Sequence, residues 1–308
     1  MQREFPLTDF EKIGVAMDEI TFDGARRDSI PPIYDPVYVP ISDATDVGPL
    51  EPVIGVIING DARAYPLRIM LWHEIVNEVI GGVPVLISYC PLCNSGVVYD
   101  RRVGGETLVF GNTGRIRKYD MVMFDHSTES WWQQLTGTAI IGDRLGSEMT
   151  LLPSRLESVA AFAARAPQGQ ILVPGDPRAR PYGNTPYRKM DAPAAQPRFS
   201  AQFPVPRGVD PMEYFVVVNG KAWPLKRLMR EHRITESGVT LLWSAGRNSL
   251  HDTQKISDGR DLGNVVVTKQ SDPGDDVPYD LVFAFSFSAL RRLRIACQRA
   301  VFTRCPVD

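Results

Sequence analysis

Cys90 and Cys93 are the only closely spaced thiols among the 308 residues, in the run Tyr89-Cys90-Pro91-Leu92-Cys93-Asn94. Two chemistries use that spacing. A redox dithiol opens a helix, whose N-terminal dipole lowers the thiol pKa. A metal knuckle instead wraps a tight turn around one ion, with a stiff residue such as Pro91 after the first cysteine and a residue tolerant of positive φ, here Asn94, after the second. The residues that follow, Ser95 to Asp100 and Thr107 to Phe110, are strand formers. No helix opens at the pair, which favours the knuckle. A knuckle supplies two donors, whereas tetrahedral zinc or iron takes four. The alternatives are a metal-free thiol-disulfide oxidoreductase and a binding module whose cysteine turn is purely structural.

His73 is the first candidate for a further ligand. Ile69, Trp72, His73, Val76, Val79 and Ile80 recur at helical spacing over residues 67 to 80. An imidazole on that apolar face needs a hydrogen-bonding or metal partner. The run leads directly into the strand before Cys90, so the pattern predicts the ring within about 4 Å of a cysteine sulfur. His73-Glu74-Ile75-Val76-Asn77 falls one residue short of the zinc-protease pattern, because Asn77 stands where the second imidazole belongs. That excludes a protease.

Asp125, His126 and Glu129 follow a strand-like run and are the acid/base candidates, with Met123 as a soft donor close by. The competing reading of this cluster is a turn whose Asp, Ser and Thr side chains bond the backbone. Three protein ligands leave an open coordination position. The expected function is therefore a transition-metal enzyme of oxidoreductase type, holding copper, iron or zinc through His73, Cys90 and Cys93 and acting on a small-molecule substrate.

The elements that must position these residues are short. Val53 to Ile58 reads as a strand, Asn59-Gly60 as a hairpin turn and Ala62 to Tyr65 as the return strand, with Pro66 at a helix start. Val83 to Ser88 and Val97 to Asp100 read as buried strands flanking the cysteines, Phe110 to Gly114 as a glycine turn, and Arg155 to Arg165 as a helix. Ten of the 25 prolines lie between Pro167 and Pro211. Beyond them, Val216-Val217-Val218-Asn219-Gly220 and Pro224-Leu225 echo Val56-Ile57-Ile58-Asn59-Gly60 and Pro66-Leu67, and Ala245 to Ser249 takes the place of the cysteine turn. The expected fold is α+β, predominantly β, with two hairpin-helix-strand units from an internal duplication. The expected organisation is a wrapping segment over 1–50, a first unit carrying the site over 51–166, a Pro-rich connection over 167–211, and a degenerate second unit over 212–308 that carries Cys297 and Cys305.

A net charge of −2 and no long basic run argue against a nucleic-acid partner. No apolar run reaches the roughly 18 residues of a membrane span. Met1 to Pro6 lacks a signal-peptide core, so a cytoplasmic location is expected for the chain as it stands.

Residues Pro52 to Asp100, with Ala62-Arg63-Ala64-Tyr65-Pro66-Leu67-Arg68, Trp72-His73-Glu74-Ile75-Val76-Asn77 and the cysteine run, closely resemble a bacterial and archaeal family known only as domain of unknown function 3179. Met123-Phe124-Asp125, Thr128-Glu129-Ser130 and Trp132-Gln133-Gln134 do so too. The resemblance implies that the His73, Cys90 and Cys93 positions belong to the family signature. It also implies that many relatives are exported.

Overall fold

The computed structural model describes residues 1–22, 24–192 and 205–289. The described residues are mostly β, 41% strand against 13% helix, with five small sheets set in a propeller-like ring and a two-stranded hairpin of Arg102–Val103 and Glu106–Thr107 beside them. One sheet orders Ile20–Phe22, Phe110–Arg117, Asp120–Asp125, Trp131–Gln133 and Thr138–Ile141; a second orders Thr150–Leu151, Ser95–Asp100, Val83–Cys90 and Ile75–Ile80. The third runs Arg155–Ser158, Pro52–Ile58, Asp61–Pro66, Gln170–Val173 and Val37–Pro40. Two three-stranded sheets complete the ring, one of Lys221–Pro224, Tyr214–Val218 and Asp280–Phe283, the other of Arg233–Glu236, Val239–Ser244 and Asn264–Lys269. A single buried cluster joins both halves of the chain, with Ile54, Leu67 and Val76 packed in the same core as Val216, Leu225 and Phe283. No helix among the described residues is long and apolar enough to cross a membrane.

The expected α+β chain of two duplicated hairpin-helix-strand units is not what forms. Helix α1 (Leu67–His73), α2 (Val159–Arg165) and α3 (Leu225–Glu231) have seven residues each, too few to make a helical layer. The two similar hairpins also lie in unlike sheets. Pro52–Ile58 and Asp61–Pro66 belong to five strands that include a parallel pairing to Gln170–Val173, whereas Tyr214–Val218 and Lys221–Pro224 belong to three. The sequence echo reports a local device: α1 and α3 each follow a proline and stop at a left-handed residue, Glu74 (φ 59°) and His232 (φ 60°).

That stop also overturns the long helix read over residues 67 to 80. Left-handed backbone at a non-glycine costs roughly 1 kcal/mol, and here four contacts offset it. Glu74 N donates to Met70 O, Glu74 O accepts from Tyr89 N and Ser88 Oγ, and Glu74 Oε2 accepts from Asn112 Nδ2. Ile75-Val76 and Val79-Ile80, all β-branched, then run as a strand against Val83–Cys90, turned at Gly81-Gly82, which both have positive φ. The helix read over Arg155 to Arg165 similarly divides. Its first four residues pair with Pro52–Ile58, and Ser158 caps α2 by accepting from Ala161 N. Phe110 to Gly114, read as a turn, lies in a strand bulged between Asn112 and Arg115.

Candidate metal centre

Val83–Cys90 and Ser95–Asp100 pair antiparallel with Cys90 opposite Ser95, leaving Pro91 to Asn94 as the turn. Asn94 takes φ 55°, as the knuckle reading requires, and its N–H donates to Pro91 O at 3.3 Å. Its side chain is used twice: Oδ1 accepts from the Tyr89 hydroxyl at 2.9 Å and Nδ2 donates to Leu281 O at 2.7 Å. His251 Nε2 donates to Pro91 O at 2.8 Å and Phe283 N donates to Cys93 O at 3.2 Å. The turn is thus held from residues 160 and more positions away in sequence.

The third group at the sulfurs is Asp120. It begins the strand Asp120–Asp125, directly after a two-residue turn in which Lys118 and Tyr119 both have positive φ. Cys90, Cys93 and Asp120 are all buried, and their ligand atoms lie within 4.8 Å of one another. Both cysteines are free thiols. Cys93 Sγ donates to Tyr119 O at 3.0 Å and lies 3.8 Å from Asp120 Oδ1. The far oxygen of Asp120, Oδ2, accepts from Gln133 Nε2 at 2.5 Å and Leu135 N at 3.0 Å. Gln133 in turn accepts from Arg117, whose guanidinium pairs with Glu19. A relay of side chains therefore aims Oδ1 at the sulfurs.

Burial pushes the Asp120 carboxyl up to about 7, against the hydrogen bonds it accepts. Burial likewise raises the Cys93 thiol well above its usual value, and the neighbouring Cys90 and Asp120 raise it further. Beside them is a cavity of about 10 Å³ lined by Cys93, Arg117, Lys118, Asp120, Leu135 and Ser286, room for a single water or ion. Ser286 Oγ is buried, and among the described residues Cys93 is the group it is placed to meet. It sits beside Cys93, where its hydroxyl favours the ionised sulfur.

The other expected site residues lie elsewhere. His73, the last residue of α1, has Nδ1 at 2.8 Å from Pro31 O and Nε2 at 2.8 Å from the Tyr182 hydroxyl. The early end of α1 turns the ring toward those groups, and the cluster at the sulfurs contains Asp120 in its place. Asp125 accepts from Ser127 Oγ, Thr128 N and Oγ1, and Trp132 Nε1. Glu129 (φ 52°) accepts from Leu7 N and pairs with Arg27. His126 is exposed, 3.1 Å from the Tyr34 hydroxyl. Asp125 and Glu129 thus bond turns and the N-terminal segment, while Met123 packs in the same buried cluster as the two cysteines. Cys297 and Cys305 lie outside the described residues.

A family model, Protein of unknown function (DUF3179), matches residues 27–289. The chain belongs to that family. The match spans the cysteine turn, Asp120, Gln133, His251 and Ser286, so every residue of the centre except Glu19 of the relay lies inside the family region. No curated protein and no solved structure matches the chain.

Proposed function

We propose that this member of the family is a metal-binding protein whose Cys90, Cys93 and Asp120 hold one borderline transition ion, zinc before copper or iron. The observation that carries the reading is the convergence of two thiols and one carboxyl, from elements 27 residues apart, in one buried site at the edge of an apolar cluster. An ion about 2.3 Å from sulfur and about 2.1 Å from oxygen would subtend about 120° across the 3.8 Å between Cys93 Sγ and Asp120 Oδ1. That is close to tetrahedral. The buried Ser286 hydroxyl beside Cys93 lines the remaining volume and supplies the fourth donor or steadies a bound water. Metal entry displaces the Cys93 thiol proton and the Asp120 carboxyl proton, which burial holds in the metal-free fold.

The Gln133 and Arg117 relay supports the reading, because metal-binding carboxylates are held in place by donors to their far oxygen, as Gln133 does here for Asp120. Among the described residues the cavity beside the sulfurs is sized for one water, which suits electron transfer to the ion better than direct contact with a substrate. An oxidoreductase role would run by electron transfer through the surrounding residues, with a copper or iron ion as the carrier. A metal-free dithiol is favoured by one observation, a proton-holding carboxyl next to the Cys93 thiol. Elemental analysis of protein purified without chelator, followed by thiol titration with and without reductant, separates the two. About one ion per chain is expected, lost in C93S. Metal-free protein with a reducible bridge between Cys90 and Cys93 would overturn the metal reading.

A further inference from the structure

The groups that hold Asp120 in place come from two distant parts of the chain. Ile20–Phe22 forms an edge strand beside Phe110–Arg117, with Ile20 opposite Arg117, and so brings Glu19 alongside the turn into Asp120. Glu19 Oε2 accepts from Arg117 Nε at 2.8 Å and from Arg117 Nη2, and Oε1 lies 3.0 Å from Lys118 Nζ. One carboxylate therefore grips Arg117 and Lys118 at the start of a turn whose Lys118 and Tyr119 are both left-handed, a conformation that costs any residue with a side chain. That turn delivers both Asp120 and the Tyr119 carbonyl to Cys93 Sγ.

The grip leaves Arg117 one nitrogen to use elsewhere. Arg117 is 4% exposed, and its Nη1 donates to Gln133 Oε1 at 3.1 Å. A carboxamide has an acceptor end and a donor end, whereas a guanidinium only donates. Gln133 must therefore give its oxygen to Arg117 and its NH2 to Asp120 Oδ2 and, at 3.4 Å, to Arg117 O. Among the described residues Glu19 is the acid paired with Arg117. Without it the guanidinium would be a buried charge with no counter-ion, beside a cavity that Arg117 and Asp120 both line. It would turn to the Asp120 carboxylate and compete with the ion for it.

We propose that Glu19 is a positioning residue of the metal centre, acting through Arg117 and Gln133 to keep the Asp120 carboxylate directed at the ion. The inference rests on the metal reading above. Residue 19 lies outside the family match, which begins at residue 27, so the family region carries the ligands and the segment before it carries their anchor.

The test compares the full-length parent with E19A, E19Q and E4A. Zinc affinity is read by competition with a chromophoric chelator, and the Gln133 side-chain amide is followed by NMR in the zinc-free protein. E4A removes the same charge from the same segment, but Glu4 pairs with Arg115, outside the relay. E19A should weaken zinc binding about tenfold, the size of effect expected of an outer partner on a metal ligand. E19Q keeps an acceptor oxygen for Arg117 and should recover part of the loss, while E4A should bind zinc as the parent does. In zinc-free E19A the Gln133 amide protons should shift and exchange faster, and in E4A they should stay in place. Parental affinity in E19A, an equal loss in E4A, or an unmoved Gln133 amide in E19A would overturn the proposal. A parent that binds no zinc would overturn the metal reading instead, and the Gln133 amide would still decide whether Glu19 acts through the relay.

Discussion

Asp120→Asn should move two properties in opposite directions. Asp120 Oδ2 accepts from Gln133 Nε2 and Leu135 N, so the substituted amide must keep its carbonyl there and turn its NH2 toward Cys93. An amide nitrogen has no lone pair to give a metal, and one ligand is lost without creating a cavity. If about 10–16 kcal/mol of zinc affinity is shared over four donors, one donor is worth about 3 kcal/mol, or a roughly 100-fold weakening. The metal-free protein should respond the other way. The folded state holds the Asp120 proton to about pH 7, whereas the unfolded chain releases it near the ordinary 3.8. The stability contributed by the protonated carboxyl is complete below pH 3.8 and is lost as pH rises through 7. The gap between those values, at about 1.4 kcal/mol per pH unit, is about 4 kcal/mol. D120N has no charge to bury and should keep that stability at pH 8, while matching the parent near pH 4. Urea unfolding in chelator at both pH values, paired with zinc competition against a chromophoric chelator, reads both effects. D120N that binds zinc as tightly as the parent would refute the ligand assignment. Equal parent and variant stability at pH 8 would refute the buried-carboxyl argument.

Cys90→Ser and Cys93→Ser should each strip the ion, because the hydroxyl stays protonated at neutral pH, while substituting Cys297 or Cys305 should leave metal content alone; elemental analysis decides. In cobalt-loaded protein, Ser286→Ala should shift the visible ligand-field bands and leave the thiolate charge-transfer bands in place, and an unchanged visible spectrum would remove Ser286 from the centre. His251 is fully buried and burial lowers its pKa to about 4, against an ordinary 6.5. The unfolded chain binds that proton first, so its contribution is complete above pH 6.5 and is lost as pH falls through 4, about 3 kcal/mol in all. Acid unfolding of His251→Gln should lack that step, at some cost in stability at neutral pH.

The cysteine turn was legible because Pro91, Asn94 and the branched residues on both sides each argue for it locally, and the hairpin at Asn59-Gly60 for the same reason. His73 was misplaced because helical spacing over residues 67 to 80 cannot show where a helix stops. The stop at Glu74 depends on Asn112 and Ser88, which no local pattern connects to it. Asp120 opens an apolar strand, where an acidic residue does not by itself signal a ligand. Its signal was an acidic residue just after a tight turn, opening a strand buried at every position. Asp125 and Glu129 invited a catalytic reading because carboxylates in a polar cluster look alike until their donors are known. His251 and Ser286 gave no local clue, since both approach the cysteines from more than 150 residues downstream.

The clamping of Pro91 by His251 fixes an order of events during synthesis. A chain made from its N-terminus at roughly 5–20 residues per second exposes Cys90 and Cys93 for roughly 10–30 s before His251 exists to hold the turn. Leu281 and Phe283, the other two anchors, arrive later still. Until then the thiols are reachable by oxidants and by any soft metal in the compartment, and whichever arrives first is sealed in when the last sheet closes. If the proposed centre holds an ion, its identity should therefore reflect the metal available at the ribosome as much as the preference of the finished site.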